Sequence, residues 1–327
     1  MKSLFRKTGL FLAMGGILLT LAGCGGTNPA AAPVKGADKP KTVNITYVKA
    51  PLNIPSILEK QQQLFEEEFK KDGIGVNLPE ITVGPKQTEA MASGSVDFAH
   101  CLGGASAILA AANGVDLKII GIYSRAPKAF VVLAKSDSIK TLADLKGKKV
   151  AGPKGTVLHQ LLLAGLGKQG LKADDIQLVT MDIAAAVAAL MNGSVDAALA
   201  AGPDVLRAEQ AGARVIATGE GLVEATIVTA VRGEFLGKYP ELVKRFVAVH
   251  RSGLDKMKKD PEAAFRMTAS ETGLPLEAVK LMAPWYDFDF AIRPSDIQEL
   301  KKTQDFLVQN GMLNKTVDVD KLIVKIE

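Results

Sequence analysis

The chain has 327 residues, a length that suggests about two domains of roughly 150 residues each. Apolar residues make up 47% and charged residues 23%, enough to build cores and too balanced for a disordered chain. The formal net charge of +5 falls to +2 once Lys2, Arg6 and Lys7 of the acid-free first 23 residues are set aside, and so small a surplus argues against nucleic-acid binding.

The first stretch reads as a targeting segment. "MKSLFRK" is a basic start, and "GLFLAMGGILLTLA" is apolar but too short to span a bilayer comfortably. It closes on "LAGC", residues 21–24, where small Ala22 and Gly23 leave the backbone open to a peptidase and Cys24 offers a thiol for thioether lipidation. This resembles the bacterial lipoprotein lipobox. It implies a signal peptide at 1–23, lipidation at Cys24 and a chain held by a lipid anchor on the extracytoplasmic face of a cell membrane, each buried CH₂ adding about 0.8 kcal/mol. Residues 24–41, rich in Gly, Ala and Pro, read as a tether with nothing to pack. Cys101 is then the one Cys of the body, so no internal disulfide is expected.

The body opens with the alternating "TVNITYVKA", a strand. In "NIPSILEKQQQLFEEEFKKDG" the residues Ile54, Ile57, Leu58, Phe65 and Phe69 share one helical face, Pro55 suits a first turn, and Asp72-Gly73 ends the helix. "GVNLPEITV" (strand), "PKQTEAMASG" (helix), "SVDFAHCL" (strand), "GGASAILAAANG" (helix) and "DLKIIGIYS" (strand) follow. After "AFVVLAKSDSI" the alternation resumes with a strand near 149–151, a long helix, the strand "DIQLVTM", the helix "DIAAAVAALMNG", the strand "SVDAALA", the helix "GPDVLRAEQAG" and the strand "RVIATG". Such alternation predicts an α/β fold with largely parallel sheets. Beyond "EATIVTAVR" the spacing is helical, and the tail is expected to return to the first lobe. The organisation read from this is lobe 1 at 42–130, lobe 2 at 131–226 and a return to lobe 1 at 227–327. Crossovers near 124–134 and 224–231 would form a two-segment hinge.

One phrase occurs twice. "SGSVDFA" and "NGSVDAA" place Asp97 and Asp196 at matching points of the two lobes. Each copy reads as a helix stopped by a left-handed Gly, then a short buried strand, then a loop entering the next helix. Ligands of open parallel sheets bind beyond the carboxyl ends of the strands, which makes the loops at 102–106 and 201–204 candidates to line one cleft. The same phrase also serves as a common helix–turn–strand idiom with no ligand role.

This order of parts, with "GPKGT" opening the second lobe and "GSVD" in both, resembles the type II periplasmic-type solute-binding proteins of ABC importers. "KGTVLHQLLLAGLGKQGLKADDIQ" (154–177) and "TQDFLVQNGML" are similar to the branch that binds aliphatic sulfonates, taurine, nitrate and thiamine pyrimidines. The resemblance covers the whole mature chain. It implies two β–α lobes joined by a two-segment hinge, a small-molecule ligand, a permease partner in the membrane, a monomer, and neither cofactor nor catalytic step. Sulfonate-type members tend to carry an aromatic and an acidic residue before the proline of the second loop. Here Ala201 and Gly202 precede Pro203, which predicts a smaller, less polar wall.

The candidate ligand residues carry paired readings. Gly155 and Thr156 open a long helix whose free N–H groups favour an anion, or Thr156 is a plain N-cap. Asn53 and Ser56, flanking Pro55, supply facing donors or simply cap. Gly103 and Gly104 let backbone approach a ligand or make the turn. Arg125 pairs with an anion or is a solvated charge. Trp285 lids the cleft or anchors the core. "GPKGT" lacks the spacing of a phosphate-binding P-loop. A Cys–His nucleophile from Cys101 with His100 or His159 is a poor fit, since adjacent strand residues point apart, and three His with one free Cys show no metal spacing. The leading expectation is capture of a small anion. A neutral heterocycle such as a thiamine pyrimidine precursor is the alternative ligand, and a metabolic enzyme on the same fold is the alternative class.

Overall fold

The computed structural model describes residues 39–326; the segments read as signal peptide, Cys24 lipidation site and most of the tether lie outside them. In chain order the elements are β1 (Thr42–Asn44), α1 (Ile54–Gln61), α2 (Leu64–Lys70), β2 (Gly75–Asn77), α3 (Gly84–Ala92), β3 (Phe98–Gly103), α4 (Gly104–Ala112), β4 (Leu117–Arg125), β5 (Phe130–Ala134), β6 (Lys149–Gly152), α5 (Val157–Lys168), β7 (Gln177–Thr180), α6 (Ile183–Met191), β8 (Ala197–Ala201), α7 (Pro203–Gln210), β9 (Arg214–Thr218), β10 (Thr226–Arg232), α8 (Gly233–Lys238), α9 (Pro240–Lys259), α10 (Pro261–Thr272), α11 (Leu276–Met282), α12 (Pro294–Gln309) and α13 (Val319–Leu322).

The strands form two α/β lobes of the same plan. In the first, β1 runs parallel to β2 and bridges in parallel to β3 at Ile45–Phe98, and β10 lies between β3 and β4. In the second the order is β7-β6-β8-β5-β9. In both, the fourth strand arrives from the other lobe and runs antiparallel to its two neighbours. The sheets are therefore mixed, and this corrects the expectation of largely parallel ones. A strand that enters from across a hinge runs against strands delivered by β–α crossovers, and side-chain alternation carries no information about direction. The chain passes between the lobes at 126–129 and 219–225, so the second passage falls earlier than the sequence suggested, and β10 is a core strand of lobe 1.

Local chemistry explains the punctuation. Asp182 accepts a bond from the Ala185 N–H at the start of α6, and Asp260 does the same from Ala263 at α10, with Pro261 in the first turn. The helix expected over 54–70 is broken into α1 and α2 at Gln63, whose φ is 52°. The apolar face survives the break: Ile54, Ile57, Leu58, Phe65 and Phe69 are all buried. Among the described residues no helix is long and apolar enough to cross a membrane.

The repeated phrase has an equivalent structure in both lobes. Gly94 and Gly193 take φ of 76° and 78°. The N–H groups of Ser95 and Ser194 each return 2.9 Å to the carbonyls of Ala90 and Ala189, closing the helix ends. Asp97 then donates its N–H to the Asn44 carbonyl and accepts the Asn44 N–H on Oδ2, both at 2.9 Å. Asp196 clasps Lys149 in the same way, at 2.9 and 2.8 Å. The phrase is a clasp that sets the register of the neighbouring strand.

Candidate functional site

The loops at the carboxyl ends of the strands meet across the interlobe gap. From lobe 1 come the segment before α1 and the β3–α4 turn; from lobe 2 come the β6–α5 and β8–α7 turns. Ser106, in the first turn of α4, donates from Oγ to the Gly155 carbonyl at 3.3 Å. A Cβ on Gly103 would lie 3.6 Å from Val157 Cγ2, so the β3–α4 turn faces the start of α5. At the other contact, a Cβ on Gly202 would sit 2.6 Å from Pro51 Cβ and 2.7 Å from its carbonyl oxygen. Gly202 has φ 56° and ψ −127°, a conformation that glycine tolerates and other residues strain to adopt. The space freed by its missing side chain is filled by Pro51. The smaller wall expected from Ala201 and Gly202 is thus a seat for the opposite lobe.

The start of α5 carries the polarity. Gly155 has φ 73° and turns the chain into the helix. No side chain caps α5: the Thr156 hydroxyl donates to the Pro153 carbonyl at 2.9 Å, so its proton is engaged within the loop. The Gly155 N–H goes to His159 Nδ1 at 3.3 Å. Burial, with Lys154 adding to it, pushes His159 down to about 4, so this imidazole is neutral and accepts. The first-turn N–H groups and the positive end of the helix dipole lie at this end of α5, beside the β3–α4 turn of lobe 1.

In lobe 1, Asn53 is buried, and its amide turns back to the Ala50 carbonyl at 2.9 Å and leaves α1 uncapped. Pro55 is buried in the first turn of α1. Ser56 is buried too; its N–H and Oγ meet the Tyr123 hydroxyl at 3.2 and 2.9 Å. Gly104 serves packing: a Cβ there would lie 2.9 Å from Leu300 and 3.1 Å from the Thr226 carbonyl. Pro203 takes the first position of α7, half-buried behind the Gly202 contact.

Arg125 differs most from its expected role. It is 7% exposed, and all five of its N–H donors are engaged. Nε and NH2 grip Asp296 at 2.6 and 2.5 Å, NH1 reaches Asp287 at 3.3 Å and the Asp289 carbonyl at 3.0 Å, and NH2 also takes the Ala291 carbonyl at 2.9 Å. It fixes the segment before α12 to the end of β4 and has no donor left for an anion. Trp285 is half-buried and packs against the main core.

The structure adds polar groups that sequence reasoning passed over. The hydroxyls of Tyr286 and Thr226 are buried without a hydrogen-bond partner. Burial holds the Tyr286 and Tyr123 hydroxyls and the Cys101 thiol well above their usual ranges, the Asn53 side chain partly offsetting this for the thiol. Cys101 is therefore a neutral thiol, and both ring nitrogens of His100 are engaged elsewhere, which leaves no nucleophile–base pair there. Ser106 lay within the candidate loop without being singled out, and Tyr286 neighbours the Trp285 that was; nothing in the sequence marks Tyr123 or Thr226.

Residues 67–264 match the NMT1/THI5 like family. The chain is 32% identical to the putative aliphatic sulfonates-binding protein of Escherichia coli, over 94% of this chain and 95% of that one. It is 29% identical to its Bacillus subtilis counterpart, over 97% and 94%. Among solved structures, the alkanesulfonate-binding protein SsuA from Xanthomonas axonopodis pv. citri, bound to MOPS, superposes with a TM-score of 0.80 at 28% identity, covering 88% of this chain and 100% of that one.

Proposed function

The chain belongs to the NMT1/THI5-like family, and from that premise we propose that it is the extracytoplasmic solute-binding protein of an ABC importer, capturing a small anion of the sulfonate, taurine or nitrate class between its lobes. The observation that carries the reading is the uncapped N-terminus of α5 facing the β3–α4 turn of the other lobe. A sulfonate offers three acceptor oxygens and one negative charge, which suits backbone N–H groups at a helix start. Closure then follows from contacts made to both lobes at once, because only a ligand that binds the closed form better shifts the balance. We place lobe 2 between the two passages at 126–129 and 219–225, with lobe 1 built from the chain before and after them, and the closed form docks as a monomer on a membrane permease. In this reading the signal peptide at 1–23 directs export and is removed, and lipid on Cys24 holds the mature chain at the membrane surface. No catalytic step is part of this reading.

The test is thermal melting of the purified chain against alkanesulfonates, taurine, nitrate, carboxylates and pyrimidines. A ligand at 100 times its dissociation constant adds about 2.7 kcal/mol of stability. A shift with a sulfonate, taurine or nitrate is the expected result. A shift with a pyrimidine and none with any anion overturns the ligand class and favours the heterocycle, a reading to which the engaged Arg125 and the neutral hydroxyls of Tyr286 and Thr226 lend weight. Turnover of the bound compound would instead make the protein an enzyme.

A further inference from the structure

Away from the cleft, lobe 1 buries three ionisable side chains against one another. Glu59 of α1, His100 of β3 and His250 of α9 are 1%, 1% and 0% exposed. Glu59 divides its carboxylate between them: Oε2 lies 2.9 Å from His100 Nε2, and Oε1 lies 2.6 Å from His250 Nδ1. One donor atom from each residue falls within 4.8 Å of the other two. The rings of Phe65, Phe246 and Tyr123 surround His100, and Phe290 meets His250 edge-on with centroids 4.7 Å apart. Gly253 closes the remaining side, where a Cβ would be 3.2 Å from Glu59 Oε1.

In one tautomer of His100 the hydrogen bonds around the cluster call for a positive centre. The Thr229 hydroxyl lies 3.2 Å from both the His100 carbonyl and His100 Nδ1; when it donates to the carbonyl, its oxygen accepts the Nδ1–H of the same ring. A neutral imidazole protonated at Nδ1 presents a lone pair at Nε2. In that tautomer the lone pair faces a carboxylate oxygen 2.9 Å away inside an aromatic shell, an arrangement that a cation between the two acceptors satisfies. Two imidazole nitrogens and one carboxylate oxygen form a donor set that zinc takes, at 2.0–2.2 Å from each ligand. Tetrahedral coordination separates such donors by ~3.4 Å, so the side chains need to open only slightly. The Thr229 bond on the far nitrogen of His100 is the second partner that orients a ligating imidazole.

We propose that Glu59, His100 and His250 hold one divalent cation of the zinc class, a structural metal that locks α1 and α9 onto β3 beneath the ligand loops. The three residues come from segments far apart in the chain, so the metal would join the early and late parts of lobe 1. Because the site is sealed, the ion enters during folding.

The full chain, unfolded in denaturant with a chelator, is refolded either with zinc chloride or with chelator, freed of loose metal, and assayed for bound zinc and melting temperature. Expected are one zinc per chain, a higher melting temperature than the chelated sample, and about tenfold or greater loss of zinc affinity in Glu59→Gln and His250→Gln. Refolding with cobalt gives a second readout that needs no variant: the visible absorption of cobalt held by two imidazole nitrogens and a carboxylate. Wild-type protein that refolds with zinc yet carries none, melts like the chelated sample and shows no cobalt absorption overturns the proposal and leaves a proton as the positive centre. Zinc retained equally by both variants also overturns it, since the metal would then sit elsewhere.

Discussion

The two clasps built on Asp97 and Asp196 make the same backbone bonds, yet their surroundings differ. Asp97 is buried and also binds Asn44 Nδ2 at 3.1 Å and Arg232 at 2.8 Å. Asp196 is half-buried, and its carboxylate serves the Lys149 N–H. The contrast runs through both lobes. In lobe 1 Arg125–Asp296 and Arg232–Asp97 are well shielded, whereas in lobe 2 Arg214–Asp137 and Lys146–Asp175 lie largely in water. The connectivity supplies the reason. Lobe 2 is one continuous stretch of chain. Lobe 1 is assembled from segments before β5 and after β9, and its ion pairs join the two: Arg125 to Asp287 and Asp296, Asp97 to Arg232, and Glu68 and Asp72 to Arg245. Apolar surfaces brought together from so far can slide, but a slipped register here would leave a charge buried and unmatched.

The Arg125 cluster is where that difference breaks most severely. Arg125→Ala removes five donors and strands the buried Asp296. We expect a loss of about 3–5 kcal/mol in urea unfolding. A loss below about 1 kcal/mol, the range of exposed pairs, would mean that these charges do no more than surface ones. The clasps give the next test within one molecule. Asp97→Ala leaves Arg232 and the Asn44 backbone without their acceptor and is expected to cost about 2–3 kcal/mol, against about 1 kcal/mol for Asp196→Ala. Equal losses would show that the shared backbone bonds, and not the added guanidinium, set the worth of the clasp.

These same residues mark how far the sequence could be read. The order of helices and strands was legible because glycines such as Gly94 and Gly193 and the helix-starting prolines punctuate it locally. The clasp was visible as a repeat, but the work of its carboxylate was not, since the acceptor's partner lies 53 residues away in one lobe and 47 in the other. Arg125 read as a candidate anion partner for the same reason: its acids come 162 and 171 residues later. The start of α5 at Gly155 and Thr156 was legible from turn chemistry, though the Thr156 hydroxyl bonds Pro153 instead of capping the helix. Gly202 read as a departure that makes the wall smaller, and only the fold shows that Pro51 seats against it. Tyr286 and Thr226 carry no local signature at all.

The contrast between the lobes extends to how each answers pH. Across the gap from lobe 1, His159 stands at the mouth of α5 with its Nδ1 accepting the Gly155 N–H. Its ring is held down to about 4 against 6.5 for the free side chain. Between those two values the unfolded chain binds a proton that the folded chain refuses, so stability falls as pH drops. The shift implies a loss of about 2 kcal/mol between pH 7 and pH 5 from this residue alone. His159→Gln keeps an acceptor for Gly155 and removes the titration, so its stability should change less over that interval than that of the wild type, in paired urea melts at the two pH values. Protonation would also remove the acceptor that orients the turn and add a charge beside Lys154, so wild-type ligand affinity should change with acidification while that of the variant holds steadier. If both proteins lose stability in parallel, the acid sensitivity lies elsewhere in the molecule, and the mouth of α5 is indifferent to protons.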